Sequence, residues 1–69
     1  MSALQIRELN RQAKLESNTE LNENKKVYAM YKPMTHFAKV TTDENLVRIL
    51  TECNDYRIEA VYVNGEQVA

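Results

Sequence analysis

The sequence predicts an α+β domain built as helix, β-hairpin, helix, strand and short hairpin strand (α-β-β-α-β-β), with a small antiparallel or mixed sheet and a helix packed on one face. Three observations predict it. Leu46, Ile49, Leu50 and Cys53 recur at i, i+3, i+4 and i+7, the spacing of one face of an amphipathic helix, with Val47 widening the stripe. Residues 26–32 and 36–41 are two β-prone runs joined by Lys32-Pro33-Met34-Thr35, where proline presets φ for a tight turn. Residues 56–63 begin by alternating, with Ile58, Ala60 and Tyr62 on one side and Arg57 and Glu59 on the other, and run into Asn64-Gly65. That dipeptide suits a two-residue hairpin because both turn positions need positive φ.

The elements follow in order. Residues 1–16 read as a helix: Ser2 with Gln5 three residues on is a capping-box pattern, and Ile6, Leu9 and Ala13 share a narrow face. So narrow a stripe needs a packing partner. Residues 17–25 are polar and asparagine-rich and read as a linker. Residues 26–69 then form the ββαβ(β) domain. Its helix is expected to start at Thr42 as N-cap, with Asp43 and Glu44 at the positive end of the helix dipole, and to stop at Asn54-Asp55. Leu46, Ile49, Leu50, Cys53, Ile58 and Ala60 are expected in one core with the first hairpin. Glu66-Gln67-Val68-Ala69 supplies the short last strand.

Composition bounds the function. A chain of 69 residues has room for one domain. One glycine and one proline exclude collagen-like and low-complexity chains, and a single cysteine excludes a disulfide scaffold. No window approaches the roughly 20 apolar residues of a membrane span, and Met1–Arg7 meets Glu8 without a hydrophobic segment, so a cytoplasmic protein without a secretory signal is expected. The net charge of -1 hides a division. Residues 24–42 carry Lys25, Lys26, Lys32 and Lys39 and no acid, while residues 43–69 carry six acids against Arg48 and Arg57.

The order β–β–α–β in residues 26–63 is similar to that of ubiquitin-like (β-grasp) domains, and Ala60-Val61-Tyr62-Val63-Asn64-Gly65-Glu66 resembles the strand-and-turn segment of their small sulfur-carrier members. The carrier activity needs a C-terminal Gly-Gly where this sequence has Gln67-Val68-Ala69, so the resemblance implies a layout and no activity. The same layout is similar to that of a short bacteriophage inhibitor of host RNA polymerase.

Site chemistry is sparse. One Cys and one His are too few for a zinc cage, and phosphate-binding loops need more than the single Gly65. No metal, cofactor or enzymatic activity is expected. The Cys53–His36 pair is the one nucleophilic combination to weigh; Cys53 is read as an inert core residue on the helix stripe and His36 as a surface or edge histidine. Two surfaces are candidates for binding. Tyr28, Met30, Val61 and Val63 fall on the sheet face away from the predicted core, and an uncovered apolar face would be taken by the first helix, by a second copy of the chain or by a larger protein. Lys25, Lys26, Lys32 and Lys39, interleaved with Tyr28, Tyr31 and Phe37, could instead serve single-stranded nucleic acid through phosphate contacts and base stacking. The first expectation is a non-catalytic protein-binding module, an inhibitor or adaptor of the phage or mobile-element kind, that occupies a surface of a larger protein. Nucleic-acid binding is the alternative.

Overall fold

The computed structural model describes residues 3–35 and 37–69, which contain α1 (Ala3–Ser17), a 3-10 turn at Glu20–Asn22, β1 (Val27–Tyr31), β2 (Ala38–Thr41), α2 (Glu44–Cys53), β3 (Arg57–Val63) and β4 (Glu66–Gln67). The expected α+β class and element order are present. The proposed Ser2 cap and His36 lie outside the described residues.

The sheet runs β2-β1-β3-β4 with every neighbouring pair antiparallel. Both β2 and β3 pair with β1, so they run parallel to each other across it. The chain between them must cross over β1, and it does so as α2, a split β-α-β arrangement. The central strand is therefore the most enclosed: Val27, Ala29 and Met30 are fully buried.

Alternation along β1 sends its residues to two faces. On one, Val27 and Ala29 join Ala60 and Tyr62 of β3 and Leu9 and Ala13 of α1 in a single core, with Tyr31 and Val40 packed at its margin. Ala13, Ala29 and Ala60 are all essentially without solvent exposure. Small residues on both sides of this contact let the helix backbone approach the sheet closely, while Leu9 fills the remaining space. On the opposite face lie Met30, Val61 and the buried Val47 of α2. The Tyr28 hydroxyl donates to Glu44 Oε1 at 3.1 Å, which ties the start of α2 to that face.

This arrangement corrects the expected core. The helix that covers Ala60 and Tyr62 is α1, through its Leu9–Ala13 stripe, and α2 covers the other side. Through Leu9 and Ala13, α1 contributes to the main core of the sheet. Ile58 also changes sides. The β1–β3 register passes from Ala29↔Ala60 to Met30↔Ile58, leaving Glu59 as an extra residue in β3. Such a bulge reverses the alternation beyond it, so Ile58 leaves the face of Ala60 and joins that of Met30, where it stays 45% exposed. Ile49 and Cys53 are exposed and Leu46 and Leu50 are only half-buried, so these four are not core residues as expected.

Turns follow local chemistry. Asn64 (φ 52°) and Gly65 (φ 83°) both take the left-handed conformation that a type I′ hairpin requires. At Lys32–Thr35 the Thr35 N–H donates to the Lys32 carbonyl at 3.3 Å, and Met34 adopts φ 65°, a conformation that glycine or asparagine takes more cheaply. α2 is capped by Asp43 rather than Thr42: its carboxylate accepts from the N–H groups of Asn45 and Leu46 at 3.0 and 3.2 Å. Thr41 Oγ1 accepts from the Asp43 N–H. At its far end Asp55 turns to φ 59° and the Tyr56 N–H returns to the Leu50 carbonyl.

Candidate interaction surface

The four residues expected to form a docking face do not lie open together. Met30 is completely enclosed and Val61 is buried, while Tyr28 and Val63 are half-buried. The reason is the crossover: α2 passes over β1 and shields that side. Met30 and Val61 are interior residues, and the candidate surface is corrected accordingly.

What remains exposed on the α2 side follows from the helix's rotation. At 100° per residue, the apolar stripe of α2 runs in angular order Ile49, Cys53, Leu46, Leu50, Val47. Val47, at one edge, is the buried residue. Thr51 lies beside it, half-buried, with its hydroxyl donating to the Val47 carbonyl at 2.9 Å. Leu46 and Leu50 are half-buried, and the other edge, Ile49 and Cys53, faces solvent. The helix is turned so that about half its apolar stripe is not spent on the sheet. Ile58, moved to this side by the bulge, is exposed as well. Near the C-terminal end of α2, Met34 is 99% exposed and lines a cleft of about 480 Å³ with Lys32, Pro33, Thr51, Asp55, Tyr56 and Arg57. The exposed apolar groups Ile49, Cys53 and Ile58, and Met34 in the cleft it shares with Lys32, Asp55 and Arg57, are the strongest candidates for contact with a partner. Sequence periodicity marked Ile49, Cys53 and Ile58 as apolar but assigned them inward; nothing marked Met34 beyond its place in a turn.

The basic hairpin is not assembled into one platform. Tyr31 packs at the margin of the α1 core, whereas Tyr28 points to the α2 side and bonds Glu44. The two rings thus occupy opposite faces and are both half-buried. Burial, and then the bonded Glu44 carboxylate, raise the Tyr28 phenol above its ordinary pKa. Phe37 is exposed on its own, Lys39 is exposed on β2 opposite Met30, and Lys32 lies in the Met34 cleft. Lys25 and Lys26 line a separate cleft of about 580 Å³ with Asn24, Thr42, Asp43, Glu44 and Asn45. The cleft holds two acids beside the two lysines, and the helix amides there are already bonded by Asp43.

Cys53, expected to be enclosed, is an exposed free thiol at the end of α2, and its suggested partner His36 is outside the described residues. Among the described residues no group of three or more His, Cys, Asp or Glu could hold a metal ion, and no helix is long and apolar enough to cross a membrane. The Glu8–Arg11 pair on α1 is fully exposed; the hydrogen bond to Arg11 lowers the Glu8 carboxyl pKa and raises that of the guanidinium. Comparison with protein-family models, with curated proteins and with solved structures finds no match.

Proposed function

We propose that the protein is a small non-catalytic protein-binding module, an inhibitor or adaptor that acts by occupying a surface of a larger protein. One observation carries the reading: α2 buries only one edge of its apolar stripe, leaving Ile49 48% exposed, and β3 leaves Ile58 45% exposed. An 8.0 kDa chain has little apolar surface to spare, and apolar groups left outside at this scale favour a partner. Lys32 then sits at the rim of the contact and the other lysines farther out, where they tune association rate more than affinity. Separation of Tyr28 and Tyr31 onto opposite faces weighs against the nucleic-acid alternative, which needs neighbouring rings for stacking.

The test is affinity capture with tagged protein, read by mass spectrometry, beside Ile49→Asp and Ile58→Asp. Both positions are exposed, so the variants should melt as the parent does. A stoichiometric protein partner held by the parent and lost from both variants is the expected result. A partner retained by both would remove this surface. Binding of single-stranded RNA or DNA whose log affinity falls with log salt by about 0.7 per contacted phosphate, abolished by replacing Lys25, Lys26 and Lys32, would favour the alternative.

A further inference from the structure

The β3–β4 turn is fastened to two distant segments by unusually specific bonds. The Gly65 N–H donates to Ser17 Oγ at 2.9 Å, and that hydroxyl donates in turn to the Lys14 carbonyl at 2.8 Å. Ser17 is completely buried, the only buried polar residue among those described. The Asn64 side chain is gripped at both ends: its Oδ1 accepts from the Asn24 N–H at 2.9 Å, and its Nδ2 donates to Asn24 Oδ1 at 3.0 Å. A Cβ at Gly65 would lie 3.3 Å from the Asn18 side chain, so the turn backbone sits tightly against the end of α1.

Asn64 is also the one asparagine followed by glycine. That pair is chemically the most prone to intramolecular deamidation, because glycine leaves the following nitrogen unhindered. In that reaction the Gly65 nitrogen loses its proton and attacks Asn64 Cγ. A C–N bond forms, the Cγ–NH2 bond breaks, and ammonia leaves with the proton. Water then opens the succinimide to aspartate or isoaspartate, so that one water is consumed per ammonia released. Both reacting groups are occupied in the folded protein: the nucleophilic nitrogen through its hydrogen bond to Ser17, the electrophilic amide through Asn24.

We propose that Asn64-Gly65 is a latent modification site whose deamidation is held off by the clasp to Ser17 and Asn24 and is released when the turn lifts from α1. The product cannot refasten as before. Aspartate at position 64 keeps the acceptor for the Asn24 N–H but sets a carboxylate against Asn24 Oδ1 in place of a donor. Isoaspartate adds a methylene to the backbone of a two-residue turn that has no slack. The reaction thereby converts a transient opening into a lasting loosening of the β3–β4 turn.

The test follows deamidation at mildly alkaline pH by intact mass and by peptide mapping, for the native protein, for the protein unfolded in urea, and for Ser17→Ala and Asn24→Ala under native conditions. Native protein is expected to deamidate at Asn64 at least about tenfold more slowly than unfolded protein, since reaction requires local opening. Both variants should be faster than the parent. Asn24→Ala keeps the backbone N–H bond to Asn64 Oδ1 and removes the exposed side-chain acceptor that holds Asn64 Nδ2, so it keeps the test decisive should Ser17→Ala fail to fold. Equal rates in native and unfolded parent, or an unchanged native rate in Asn24→Ala, would overturn the proposal.

Discussion

Met30 shows how much one residue can matter in a domain this small. It sits on the central strand with no solvent exposure, between β2 and β3 and beneath the crossing helix. Truncating a buried methionine costs about 2–5 kcal/mol, against a total stability of roughly 3–10 kcal/mol for a chain of this length. Met30→Ala should therefore melt far below the parent or fail to fold, as circular dichroism would read directly; an unchanged melting curve would mean that α2 does not enclose this strand. Tyr28, its neighbour, couples stability to pH. Its folded pKa is raised above the unfolded value of about 10, so the folded state holds its proton more tightly. That contribution is fully present below about pH 10 and is lost as pH rises from there through the folded pKa. Tyr28→Phe cannot ionise and should lose less stability than the parent as pH rises above about 10 in urea titrations. Parallel curves for the two proteins would show that Tyr28 is not responsible.

At the scale of the element, the two helices divide the labour in an unexpected way. α1 carries the weaker pattern, yet Leu9 and Ala13 enter the main core. α2 carries the stronger pattern and buries Val47 alone. The Asp43 cap and the return of Tyr56 N–H to the Leu50 carbonyl pin both its ends. Because packing contributes modestly here, capping should weigh more than usual. Asp43→Ala removes the acceptor for two helix amides and should cost about 1 kcal/mol, or about 4–8 °C in melting temperature for a domain of this size. A smaller shift would show that water or Thr41 replaces the cap.

At the scale of the whole molecule, the sheet is covered on both sides and neither helix is dispensable. Removing α1 would bare Val27, Ala29, Ala60 and Tyr62 together, an apolar face that the remaining chain has nothing to cover. A chain beginning at Asn18 should be unfolded or aggregated, with no cooperative thermal transition. A folded, monomeric product of that truncation would show that the strands and α2 hold together without α1.

Element order, the two hairpin turns and the amphipathic stripes were legible because they rest on local rules: turn chemistry at Pro33 and Asn64-Gly65, period-2 alternation in β1, and the 3.6-residue period of α2. The candidate site was legible only as a set of apolar residues, not as a surface. Which helix would cover which face depends on a match of shape across the sheet, here Ala13 of α1 against Ala29 and Ala60, and no window of sequence contains both sides of that match. The displacement of Ile58 depends on a one-residue bulge at Glu59, which appears only when β3 is set against β1. The exposure of Ile49 and Cys53 depends on the rotation of α2 about its axis. A stripe's period reveals that a helix has an apolar side; how far that side is turned toward the sheet is set by the strand it must cross and the loops that tether its ends.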